Sequence, residues 1–177
     1  MRRLEHIARS IRKICFDVDN NITGLSKSDA VLWARTNSRR HAHTIKVILD
    51  YADKHNKKYL KILNASGLRC GHQDFSIANF LHKNTSINIE WTVFESPNSN
   101  FLNNNFFKKY IEELQIKLKI TDFSKLTELS DTTEEAYDVI IFTEIAEHLD
   151  HSTLLKALIA IRRKMKDERL YSWKQWR

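Results

Sequence analysis

The chain is short of the residues that usually punctuate or staple a small fold. Among 177 residues there are three glycines, one proline and two cysteines. So little Gly and Pro excludes a collagen-like or linker-like chain, and two cysteines cannot frame a disulfide-stapled miniprotein. Cys15 and Cys70 match no metal-ligand spacing, and both are expected to be reduced thiols in a cytoplasmic protein. No apolar run approaches the roughly 18–20 residues needed to cross a bilayer. The start, Met1-Arg2-Arg3-Leu4-Glu5-His6, lacks the unbroken apolar stretch of a signal peptide.

What is present argues for a packed domain. Hydrophobic residues make up 42% of the chain, including nine Phe, five Tyr and four Trp, too many for a disordered segment. The length is enough to bury a real core. The net charge of +7 permits an anionic partner such as nucleic acid or a phosphorylated ligand. The cations, however, are scattered as Arg39-Arg40, Lys57-Lys58, Lys108-Lys109 and Arg162-Arg163-Lys164, so nucleic acid is permitted and not indicated.

Residues 1–56 read as a helical cap. Ile7, Ile11 and Ile14-Cys15 recur at helical spacing, and Asn20-Asn21 and Gly24 end that run. Ser26-x-x-Asp29 is a capping-box-like start for a second helix through Ala30–Trp33. Asn37-Ser38 predicts a break before a third helix carrying Ile45, Val47-Ile48 and Tyr51-Ala52. Residues 57–177 then change texture. Tyr59–Leu63 is a short apolar strand, Phe75–Leu81 a helix, and Ile87–Phe94 an alternating strand. Phe101–Leu114 is an amphipathic helix and Ile116–Ile120 another alternating strand. After a polar stretch, Tyr137–Phe142 reads as a strand buried on both faces, followed by a helix over Leu154–Met165. Strands alternating with helices predict an α/β fold, a doubly wound parallel sheet of Rossmann-like type behind the helical cap. In such sheets ligands bind beyond the carboxyl ends of the strands, so these ends are the places to look for chemistry.

The first strand runs into Asn64-Ala65-Ser66-Gly67-Leu68-Arg69-Cys70-Gly71-His72-Gln73-Asp74, which holds two of the three glycines. Glycine allows close backbone approach to a ligand, yet the stretch is neither G-x-G-x-x-G nor a P-loop. The second strand ends at Glu95-Ser96, where a carboxylate can accept both hydroxyls of a ribose. The third ends at Asp122-Phe123, an acceptor for an adenine amino group beside a ring that can pack on the base. The fourth ends in Thr143-Glu144-Ile145-Ala146-Glu147-His148-Leu149-Asp150-His151, the densest polar cluster in the chain.

Together the four strand ends resemble the class I S-adenosylmethionine-dependent methyltransferases over about residues 55 to 166. Ile62–Gly67 is similar to a variant of their first motif, with Asn64 where an acid is usual and Ser66 where a glycine is usual. Asp138–Leu149 is similar to the fourth-strand pattern of many members, an Asp, a hydrophobic run and then E-x-x-E-H-L. The resemblance implies S-adenosyl-L-methionine as cofactor. Asn64, Ser66, Gly67 and Gly71 would line its methionine side, Glu95 and Ser96 its ribose, Asp122 and Phe123 its adenine, and Thr143 and Glu144 the crevice near the sulfonium. It makes His148 the candidate general base for a small-molecule or saccharide acceptor. Some members that methylate small RNAs hold a metal with E-x-x-E-H and a later His. Glu144, Glu147 and His148 fit the first part, but no His follows His151, so no metal is expected. The family sheet has seven strands, of which four are found here with a stub at Arg169–Trp173. The resemblance therefore implies a sheet incomplete on its C-terminal side, as in a short or truncated member, with an edge that invites a homodimer. Two other readings stay open: a non-catalytic remnant serving as a binding module, and an NAD-dependent oxidoreductase, which shares the acid after the second strand.

Overall fold

The computed structural model describes residues 2–22, 25–65, 72–95, 100–120, 137–143 and 149–165. Two long helices come first, α1 (Arg2–Ile22) and α2 (Lys27–Lys54). Strand β1 (Tyr59–Asn64), helix α3 (His72–Asn84) and strand β2 (Asn88–Glu95) follow. A 3-10 turn (Asn100–Asn103) leads to α4 (Asn105–Glu113), and β3 (Lys117–Ile120), β4 (Val139–Ile141) and α5 (His151–Lys164) complete the order. The four strands form one all-parallel sheet in the order β3-β2-β1-β4, which makes this an α/β fold. Chain order runs outward from β1 to β3 on one side and then jumps to the other side of β1. The reversal point lies between β1 and β4.

The alternation of side chains across β1 sets the layering. Leu60 and Ile62 face the larger core, which they share with Ile89, Trp91 and Val93 of β2 and Ile141 of β4. The same core takes in Ile7, Ile11 and Val18 of α1, Ile45, Ile48 and Ala52 of α2, Phe75 and Leu81 of α3, and Phe107 of α4. The helical cap and the sheet therefore bury one continuous apolar cluster. Leu63 and Ala65 point to the other face, where they meet Phe94 and Tyr137. Helix α3 is buried almost all round, from Asp74 to Ala78 and again at Phe80 and Leu81, as expected for a helix packed between layers. Phe75 meets the rings of Phe107 and Tyr110 of α4 at centroid distances of 5.1 and 5.0 Å.

Several sequence expectations need correction. Asn37-Ser38 does not break the cap; α2 runs unbroken through both, giving two cap helices rather than three. Both side chains are buried, and the Ser38 hydroxyl donates back to the Arg35 carbonyl at 3.1 Å, which satisfies it inside the helix. The single helix expected over Phe101–Leu114 is a 3-10 turn and a separate α4, divided by Asn104, whose side chain accepts from the Phe106 amide. Strand β4 has three residues, and Val139 and Ile140 are only half buried. The N-cap of α2 was legible: Ser26 accepts from the Asp29 amide at 3.2 Å, and its hydroxyl donates to the Asp29 carboxylate at 2.7 Å.

The start of β4 is fixed by polar groups. Asp138 accepts from the Lys61 amide at 2.9 Å and pairs with Lys57 at 3.2 Å, and its own amide donates to the Lys61 carbonyl. The Tyr137 amide donates to the Lys164 carbonyl at 2.8 Å, tying the end of α5 to the sheet. Among the described residues, no helix is long and apolar enough to cross a membrane.

Because β1 is covered on both faces, truncation at its centre should be costly. Ile62→Ala is expected to lower the unfolding free energy by about 2–5 kcal/mol. Val47→Ala, on the exposed side of α2, should change it by less than about 0.5 kcal/mol. Urea denaturation midpoints of the two variants check the contrast.

Candidate functional site

Three of the strand-end residues singled out in the sequence fall among the described residues: Asn64, Glu95 and Thr143. Strand register brings them to one face. Asn64 pairs with Val93 of β2 and with Ile141 of β4. Side chains two residues apart on a strand share a face. Glu95, two beyond Val93, and Thr143, two beyond Ile141, thus lie on the same side as Asn64, the side covered by α3. The carboxyl ends of β1, β2 and β4 converge on the first turn of that helix.

Side-chain contacts agree with this register. The Asn64 Nδ2 donates to both carboxylate oxygens of Asp74, at 2.8 and 2.9 Å. The Trp91 indole Nε1 donates to Asp74 Oδ1 at 2.8 Å. The Thr143 hydroxyl donates to Gln73 Oε1 at 2.8 Å, while Gln73 Nε2 is buried with no hydrogen-bond partner. Asn64, Asp74 and Glu95 are all buried.

Asp74 is the electrostatic centre of this cluster. Burial pushes its carboxyl up to about 6 from an ordinary value near 3.8. The hydrogen bonds from Asn64 and Trp91 pull it down, and the nearby Glu95 carboxylate pushes it further up. Its place in the first turn of α3 favours negative charge, but that gain is smaller than the cost of desolvation.

The sequence assigns no binding or catalytic role to Asp74, Gln73 or Trp91. A signal for two of them was present. A Trp in the middle of a buried strand needs an acceptor for its indole N–H, and an Asp opening the next-door helix is a natural one. The remaining candidates, Ser66, Gly67, Gly71, Ser96, Asp122, Phe123, Glu144 and His148, lie outside the described residues, as does Cys70.

A second buried polar cluster joins the cap to α3. His41 Nδ1 lies 3.1 Å from Ser76 Oγ and 3.9 Å from Cys15 Sγ. A Cys beside a His suggests a nucleophile, but burial raises the Cys15 thiol to about 12, which keeps it protonated and unreactive near neutral pH. Among the described residues, no three His, Cys, Asp or Glu side chains gather as a metal site needs. Comparison with protein-family models and with curated proteins returns no match.

The raised Asp74 carboxyl has a definite stability signature. Its folded value lies above its unfolded one, so the folded chain binds the extra proton. This contribution is complete below about pH 4 and is lost as pH rises through about 6. Relative to Asp74→Asn, the wild type should therefore lose roughly 2 kcal/mol of unfolding free energy between pH 4 and pH 7. Paired denaturation curves across that range test it; parallel pH profiles would contradict it.

Proposed function

We propose that this chain binds S-adenosyl-L-methionine and transfers its methyl group to a small-molecule or saccharide acceptor, on a Rossmann-like sheet. The observation that carries the reading is the placement of Asn64 and Glu95 on one face, at the carboxyl ends of adjacent parallel strands and beside the strand-order reversal. The order β3-β2-β1-β4 matches the first strands of the dinucleotide-binding arrangement, where ligands bind in that crevice.

Charge favours a methyl donor over NAD. A dinucleotide places its pyrophosphate at the N-terminus of the helix after the first strand. Here the first turn of that helix carries the buried Asp74, with Glu95 close enough to raise its pKa. Two carboxyl groups at that point oppose a pyrophosphate and suit a ligand that carries positive charge and a ribose diol.

The cofactor supplies an electrophilic sulfonium methyl, and the protein's task is positioning and proton removal. Glu95, with Ser96 beside it, accepts from the two ribose hydroxyls. Asp122 and Phe123 hold the adenine. Asn64, Ser66, Gly67 and Gly71 would line the methionine side, and Thr143 and Glu144 would flank the crevice near the sulfonium. His148 would be the base that takes the acceptor's proton during methyl transfer.

Calorimetric titration with S-adenosylhomocysteine tests the assignment. The wild type should bind it, Glu95→Ala should bind at least about tenfold more weakly, and NAD should give no binding heat. Equal affinity in Glu95→Ala would remove the ribose role. Binding of NAD instead would favour the oxidoreductase reading. Binding without methyl transfer to any acceptor tried would leave a cofactor-binding module.

A further inference from the structure

Helix α2 runs unbroken through Asn37-Ser38, and this continuity gathers cations that the sequence alone leaves spread over two segments. Its apolar stripe, from Ala30 and Ala34 to Ile45 and Ile48, is buried. With about 100° of turn per residue, the opposite half of the helix carries Trp33, Arg35, Thr36, Arg39, Arg40 and His43. Arg35, Arg39 and Arg40 are exposed, and so is the Trp33 ring, at 52%. Arg35 and Arg39 stand one turn apart. Trp33 and Arg40 stand two turns apart along the neighbouring side of the same exposed arc.

No acid of α2 interrupts this face. The helix holds none between Asp29 and Asp50, and both of these are engaged at its ends. Asp29 accepts from the Ser26 hydroxyl at 2.7 Å, and Asp50 pairs with Lys46. Like charges one turn apart, as in Arg35 and Arg39, destabilise a helix, and an anionic partner relieves that repulsion. The shape of the face narrows the choice of partner. A helix lies on a bilayer with its apolar side down, and the apolar side of α2 is buried in the core. Protein interfaces match patches of charge but seldom offer one sign along several turns of helix. A nucleic acid brings a single sign along its whole length, and its unpaired bases stack on exposed aromatic rings.

From this arrangement we infer that the outer face of α2 binds single-stranded nucleic acid, with backbone phosphates on Arg35, Arg39 and Arg40 and one base stacked on Trp33. The guanidinium groups offer paired donors that match phosphate oxygens. The ring sits on a helix fixed in the core, so little ordering is needed when a base lands on it. This surface does not depend on the strand ends, and the inference holds whether or not the chain binds a methyl donor.

Fluorescence anisotropy with labelled oligouridylate and oligothymidylate tests it. Three phosphate contacts give a logarithmic salt slope of about −2, so affinity should fall roughly twentyfold between about 50 and about 200 mM salt. Arg35→Gln combined with Arg39→Gln should flatten the slope to about −0.7. Trp33→Ala should weaken binding at least about fivefold and leave the slope unchanged. A duplex, whose bases are already stacked, should bind the wild type no better than the single strand binds Trp33→Ala. Lys108→Gln combined with Lys109→Gln, on α4, removes the same charge elsewhere and should change affinity less than about twofold. All five substituted side chains are exposed, and thermal unfolding checks that the variants fold. Binding of either strand with these signatures supports the inference, and the tighter of the two identifies the natural sugar. No binding of either strand, equal losses in the α2 and α4 variants, or unchanged affinity in Trp33→Ala would overturn it. So would tighter binding to phosphatidylserine vesicles that the same arginine substitutions abolish.

Discussion

The two-sided burial of β1 is the constraint from which the rest follows. Leu60 and Ile62 need cover on one face, and Leu63 and Ala65 need it on the other. A strand buried in this way sits inside a sheet, and a parallel neighbour can be reached only by a crossover long enough to carry a helix. Helix α3 supplies that crossover from β1 to β2. Once β3 extends the sheet beyond β2 and β4 pairs with the other side of β1, the chain leaves a reversal beside the central strand. The strand-order reversal is thus a by-product of covering an apolar strand.

Beside that reversal the described residues bury two acids, Asp74 and Glu95, an expensive choice. Asp74 takes three hydrogen-bond contacts from Asn64 and Trp91, and these do not fully offset its desolvation, because its carboxyl still prefers the proton well above its usual range. An apolar residue in its place would avoid that cost. Perturbed carboxyls of this kind concentrate where a protein meets a ligand, since bound charge can relieve what the fold alone leaves uncompensated. The contrast with Asp138 is instructive. That carboxylate is buried too, but it has Lys57 at 3.2 Å and the Lys61 amide at 2.9 Å, and it pins one end of β4. One buried acid is paired with a lysine; the other, at the opposite end of the strands, has no cationic partner among the described residues.

Much of the sheet was legible because its signal is local. The two-residue alternation in Ile87, Ile89, Trp91 and Val93 is visible in any window of eight residues and fixes both the strand and its inward face. The capping Ser26 was readable for the same reason. The continuity of α2 was not, since Asn37 and Ser38 favour a break by local chemistry, and only burial against other elements makes them acceptable helix residues. The site divides along the same line. Asn64, Glu95 and Thr143 stood out because each closes an apolar strand. Asp74 did not, because its importance comes from contacts with Asn64 and Trp91, ten and seventeen residues away in sequence.

Helix α3 joins these levels. Its first turn supplies Gln73 and Asp74 to the strand ends, while Ser76, in the next turn, meets His41 of α2 beside Cys15 of α1. Phe75 between them packs against Phe107 and Tyr110 of α4. Polar contacts inside an apolar core tolerate little sliding, because any shift leaves a buried donor or acceptor unpaired. The contact between His41 and Ser76 thus fixes the depth and rotation of α3 from the cap side, and the contacts of Asp74 with Asn64 and Trp91 fix them from the sheet side. The two helices that precede the sheet are thus part of what holds Asp74 in place at the strand ends: they grip the same helix that carries it, through residues no further than one turn away.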